Sequence, residues 1–310
     1  MTARKVTAGR LWEVLSSGRA SLKGRDERVL LRVHVDTTCA RELVLAVKGA
    51  LVAERAGGVV EVRGIALDDG GERPDAVIVL AGSGEVADLV SRYAGAGVPV
   101  ALVVEGALDA PRLSLTEQAA ALVTLVAASS AGALVDKLAS WLAGESDKAI
   151  ALAANFPFCR GAVVDALVRR CAAQNAAVGA VHLIPGSDLP VMTVNQAKLA
   201  LDVAAAYGEG VDASRAAELA GVVGAGLAYR ALARTLLGLV PGIGGLVRAG
   251  VGYAGTLATG EALRARFELP AHVSRREERG APAPEARRPG LAPAPAEPGD
   301  GYVTIGEAIS

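Results

Sequence analysis

The 310-residue sequence predicts a mostly parallel α/β domain with helices on both faces, followed by an all-helical region and a disordered C-terminal tail. Three observations carry this. Short, nearly continuous apolar runs alternate with helically periodic segments over residues 28–143, as expected for strands buried on both faces. Beyond Glu145 the strand-like runs stop and the helical period continues. From about Leu269 apolar periodicity gives way to Pro, Ala, Arg and Glu.

The elements follow in order. Residues 1–27 read as a helical extension. VLLRVHV is the first strand, and ARELVLAVKGALVAE repeats apolar residues at helical spacing. VVEVRGIAL and DAVIVLAG are strands, EVADLVSRYAGAG a helix, PVALVVEG and ALVTLVAA strands, and residues 132–142 a helix. Residues 144–268 form the helical region, through DKAIALAANFP and CRGAVVDALVRRCAAQNAAVGAVHLI. Thr193 and Gln196 have capping-box spacing and predict a helix start there, with its stop at Gly208. Asp212 can cap the next helix, and Pro241-Gly242 precedes a last helix ending near Phe267. Residues 269–310 cannot bury enough apolar surface to offset ordering entropy, although the closing YVTIGEAIS keeps a short alternation suited to docking.

Composition excludes several classes. Lys+Arg 32 against Asp+Glu 33 gives a net charge of -1, which supplies no global field for nucleic acid. Cys39, Cys159 and Cys171 share no CxxC spacing and read as reduced core thiols in a cytoplasmic protein. Charges interrupt the N-terminal stretch before it reaches signal-peptide length. Arginine outnumbers lysine, and Ala, Gly and Pro are abundant, the mark of GC-rich coding in a bacterium such as an actinobacterium. His34, His182 and His272 show no metal-ligand spacing, and no GxSxG or HExxH motif is present. No cofactor or metal is expected.

The run from Ile184 to Phe267, opening IPGSDLPVMTVNQAKLALDVAAAYGEG and closing LVPGIGGLVRAGVGYAGTLATGEALRARF, resembles the helical domain of unknown function of YcjF-type bacterial proteins, a family often fused to Era-like GTPases. Its polar set includes Ser187, Asp188, Asn195 and Gln196. These residues read either as a pocket or partner surface, or as caps and satisfied amides.

The resemblance implies a GTPase-like domain upstream, and the motifs there are degenerate. A phosphate loop reads GxxxxGK[ST], with glycines for the backbone cradle, a lysine for the phosphates and a hydroxyl for magnesium. The turn after the first strand instead reads Val35-Asp36-Thr37-Thr38-Cys39-Ala40-Arg41-Glu42. Both glycines are gone, Arg41 stands for the lysine, and Glu42 replaces the hydroxyl. Asp68-Asp69-Gly70-Gly71 matches DxxG, Glu105-Gly106 stands where NKxD would begin, and Ser129 lacks the following lysine of a SAK loop. If a nucleotide bound, Asp36, Thr37, Thr38, Arg41, Asp68 and Gly71 would be its contacts. GSGEVADL offers an anion site at a helix N-terminus, or simply a Ser83 cap.

The expectation is a noncatalytic regulatory or scaffold protein, cytoplasmic or membrane-associated, with an unidentified protein partner, no nucleic acid, and a homo-oligomer left open. One alternative is a divergent GTP-binding protein. Another is a membrane protein that inserts its Gly-rich helices from about Leu219, where Arg230, Arg234 and Arg248 interrupt the apolar run.

Overall fold

The computed structural model describes residues 20–66, 71–181, 189–210, 221, 224 and 245–268. The calls on Asp68, His182, Ser187, Asp188, Asp212, Pro241-Gly242, His272 and the 269–310 tail lie outside the described residues, as does most of the Gly-rich stretch from Leu219.

Among the described residues five strands form one sheet: β1 (Val29–Val35), β2 (Gly58–Gly64), β3 (Ala76–Leu80), β4 (Val100–Val104) and β5 (Val123–Ala127). Their order is β2-β1-β3-β4-β5, and every pairing is parallel. The sheet is therefore fully parallel. Strand order reverses beside β1, so the crevice at the carboxyl ends of β1 and β3 is the topological switch point, the usual ligand position in such sheets.

Helices α1 (Arg41–Ala50), α2 (Ala87–Gly95), the short α3 (Glu117–Ala120) and α4 (Ala131–Glu145) connect or follow the strands. The alternation of side chains along β1 divides its two faces. Val29, Leu31 and Val33 pack with Leu43 and Val47 of α1 and with Leu134, Leu138 and Leu142 of α4. On the other side Val77 and Val79 of β3 and Leu102 of β4 pack with Leu89, Val90 and Tyr93 of α2. Ser130 caps α4 by accepting from the Ala133 amide at 3.4 Å.

The helical region contains α5 (Ala149–Asn155), α6 (Pro157–Val181), α7 (Leu189–Ala206) and α8 (Gly245–Glu268). The helical run predicted after Glu145 is broken at Phe156, which is extended at φ -122 and ψ 101. The residue before a proline is disfavoured in the α region, and Pro157 suits the first turn of α6, where its missing N–H costs nothing. Phe156, fully buried, joins the same core as β1, α1 and α4, so the first helical turn beyond the sheet is anchored in the sheet's own core. Lys148 adds a polar tie, reaching Asp75 at 2.7 Å and the Arg28 carbonyl at 2.9 Å.

The predicted capping box is corrected. α7 begins at Leu189, so Thr193 and Gln196 lie inside the helix, and Gln196 is fully buried against α8 instead of folding back on a cap. The stop at Gly208 holds: its φ is +75, Gly208 N–H donates to Ala205 and Glu209 N–H to Ala204, the Schellman pattern. Just before this stop Tyr207 stacks on Phe267 with centroids 5.1 Å apart and donates to Glu268 at 2.9 Å. The ends of α7 and α8 are thus clasped together. No described helix is long and apolar enough to cross a membrane.

Candidate functional site

The switch-point crevice is built by the loops after β1 and β3. Asp36 to Cys39 make a tight turn, with Cys39 N–H donating to the Asp36 carbonyl at 3.0 Å, and the Asp36 carboxylate accepts from Thr38 N–H at 3.0 Å. This is the local Asx-turn chemistry that an Asp-Thr-Thr sequence favours. The second carboxylate oxygen crosses to the β3 loop and accepts from Gly82 N–H at 3.0 Å and Gly84 N–H at 2.7 Å. Asp36 is only 3% exposed. The Thr38 amide, then those of Gly84 and Gly82, hold its carboxyl below the ordinary value against the opposing effect of burial.

Thr38 completes the closure. Its hydroxyl oxygen accepts from Ser83 N–H at 2.8 Å and from the Ser83 hydroxyl at 3.1 Å. A Cβ on Gly82 would lie 2.3 Å from the Thr38 hydroxyl, and one on Gly84 would lie 2.7 Å from the Asp36 carboxylate. The glycines therefore permit the two loops to touch. Ser83 does not cap α2, correcting that expectation: the N-cap is Val86, with no side-chain hydrogen bond. Within this loop the Gly82 and Gly84 amides go to Asp36 and the Ser83 amide to Thr38, so these three do not point at an external anion.

The other candidate residues are dispersed. Thr37 is exposed in the turn, and Arg41 is exposed as the first residue of α1. Gly71 does not face Asp36. With φ +115, it sits where a Cβ would lie 2.8 Å from the Arg63 guanidinium and 3.3 Å from that of Arg32. Asn195 and Gln196 enter a buried amide and hydroxyl seam that knits α6, α7 and α8. Asn195 donates to Asn175 at 2.9 Å, Asn175 to Thr256 at 2.9 Å, and Gln196 to Thr259 at 3.3 Å. The two threonines donate back to Gly252 and Gly255 carbonyls of their own helix. The seam's interior hydrogen-bonding groups are taken up by one another between the three helices.

A second polar cluster lies beneath α2, and residue-by-residue reading did not assemble it. Arg32 is 4% exposed and donates to Glu61 at 2.9 Å, to the Tyr93 hydroxyl at 3.1 Å and to the Glu72 carbonyl at 2.7 Å. Burial works against its charge, but the Tyr93 and Glu61 hydrogen bonds outweigh it and raise the guanidinium's pKa. The Arg32 hydrogen bond in turn lowers that of Glu61. His34, fully buried, lies 2.7 Å through Nδ1 from the Gly64 carbonyl and 3.0 Å through Nε2 from the Tyr93 hydroxyl. A carbonyl only accepts, so Nδ1 carries a proton and donates to Gly64, and Nε2 meets the Tyr93 hydroxyl. The sequence signal was the alternation of Arg32 and His34 on β1 against Glu61 and Arg63 on β2, in register by pairing.

Among the described residues no group of His, Cys, Asp or Glu side chains is arranged to hold a metal ion. The three cysteines are free and buried, and burial pushes the Cys159 thiol up to about 12. No family model matches the chain, and no curated protein or solved structure is significantly similar to it.

Proposed function

We propose that this chain is a noncatalytic regulatory or scaffold protein of the cytoplasm, in which a nucleotide-incompetent GTPase-like α/β domain serves as a binding platform and the helical region contacts a protein partner or a membrane surface. One observation carries the reading: the Asp36 carboxylate already takes the amides of Thr38, Gly82 and Gly84 at the switch point. A phosphate placed there would have to displace a buried carboxylate and would meet its negative charge. Glu42 adds a second carboxylate in the first turn of α1, where a phosphate-binding helix would offer only donors. The fully hydrogen-bonded seam around Asn175 and Gln196 further supports a helical region built for packing over chemistry.

Calorimetric titration of the full chain with GTP, GDP and ATP, with and without magnesium, tests the reading. No heat of binding at millimolar nucleotide is expected. Micromolar affinity that Arg41→Ala abolishes would replace it with the divergent GTP-binding protein. Retention in the pellet after alkaline carbonate washing of host membranes would instead favour insertion of the Gly-rich helices.

A further inference from the structure

The edge strand β2 has an alternation that matches itself in reverse. Among the described residues it pairs with β1 alone. Val29 N–H donates to the Gly57 carbonyl at 2.9 Å, and in a parallel ladder such bonds recur at every second residue. Val59, Glu61 and Arg63 therefore turn their backbone groups to β1, while Val60, Val62 and Gly64 turn theirs to the edge that no described strand covers. Natural edges are commonly blunted by proline, lysine or a bulge. Here the outward positions are two valines and a glycine, and Val62 is 68% exposed.

We propose that β2 pairs antiparallel with β2 of a second copy about a twofold axis at Val62, joining two sheets into one. With Val62 opposite Val62 of the partner subunit, the central pair exchanges both backbone hydrogen bonds, as the outward orientation of Val62 requires. The flanking pairs set Glu61 opposite Arg63 of the partner subunit, and Arg63 opposite Glu61 of the partner subunit. Glu61 already pairs with Arg32 and Arg63 of its own chain at 2.8 and 2.9 Å, so the facing charges extend that network across the narrow pair, whereas moving the axis by one residue would set Glu61 against its own copy. Val60 then meets Gly64 of the partner subunit, where no side chain obstructs approach.

The apolar face fits the same partner. Between α1 and the outer flank of β2 lies a cavity of about 300 Å³, bordered by Val44, Lys48, Leu51, Val60 and Val62. A symmetric neighbour places its own Val60 and Val62 beside this groove. The opposite edge strand, β5, reads Val-Thr-Leu-Val-Ala and carries no charged residue to select a register. The inference goes beyond the scaffold reading and does not depend on whether nucleotide binds.

Sedimentation equilibrium and light scattering on the full chain test it. The expected result is a mass that rises with concentration from 31.3 kDa towards twice that value. Val62→Lys, at an exposed position, should weaken association by at least about tenfold while leaving the circular dichroism spectrum and the dilute unfolding midpoint unchanged. Val62→Cys should form a disulfide-linked dimer under mild oxidant, since Cα atoms about 5.5 Å apart suit a disulfide. Wild-type protein, whose cysteines are all buried, should not. A chain that stays monomeric at millimolar concentration overturns the proposal, as does a dimer that Val62→Lys leaves intact or that Val62→Cys fails to cross-link.

Discussion

The Gly84 amide lies 2.7 Å from the Asp36 carboxylate, joining the loops after β3 and β1 across 48 residues of sequence. With Thr38 and Gly82 contributing further amides, a single side chain satisfies three backbone donors at the sheet's switch point. Asp36→Ala strips these donors of their acceptor. Unfolding in urea should show a loss of about 2–4 kcal/mol, with inorganic phosphate or sulfate restoring part of the stability of the variant and little altering the wild type. Equal responses of the two proteins to phosphate would refute the idea that the carboxylate stands in an anion cradle.

Acid should act through the same group. The Asp36 pKa is lowered in the folded chain, chiefly by the Thr38 amide and then by Gly84 and Gly82, so its stabilising contribution is present above the unfolded pKa and is lost as pH falls through the folded one. Glu61, lowered by Arg32, behaves with the same sign. Asp36→Asn should therefore flatten the acid limb of a stability-against-pH curve below the ordinary carboxylate range, leaving the remaining slope to Glu61 and other carboxylates. An unchanged acid limb would show that Asp36 titrates normally.

Tyr93→Phe removes the hydroxyl that accepts from Arg32 and is hydrogen-bonded to His34 Nε2. Because both partners are buried, the expected cost is about 1–3 kcal/mol, read from denaturant unfolding. The change preserves the ring and its contacts with Leu89 and Val90, so a loss near zero would mean water replaces the hydroxyl.

Glycines in the helical region should separate by what surrounds them. A Cβ on Gly252 would lie 2.8 Å from the Asn175 carbonyl, whereas one on Gly161 meets nothing within 4 Å. Gly252→Ala should destabilise by about 1–3 kcal/mol, because the contact is backbone and cannot swing away. Gly161→Ala, in the interior of α6, should stabilise by about 0.5–1 kcal/mol. Thermal melts in opposite directions are the expected result, and a stabilising Gly252→Ala would argue against the close packing of α8 on α6.

The α/β unit, its parallel strands and the helix stop at Gly208 are legible in the residues alone. Strand and helix periods are local, and a helix end that needs positive φ selects glycine without help from distant residues. Asp36 is also placed by sequence in the turn after β1, whose residues 35–42 contain neither glycine nor lysine. Thr193 and Gln196 were misread as a capping box, because capping spacing and interior helix spacing are the same pattern until the preceding residues are seen to be helical. Nor could the sequence show that Asp36 reaches Gly82 and Gly84, that Arg32, His34, Glu61 and Tyr93 converge beneath α2, or that Asn175, Gln196, Thr256 and Thr259 meet between helices. Those groups lie tens of residues apart and become neighbours only when parallel strands stack in register and helices cross. What the tertiary structure decided is which donor meets which acceptor, since burial away from water requires each to find a partner wherever the fold supplies one.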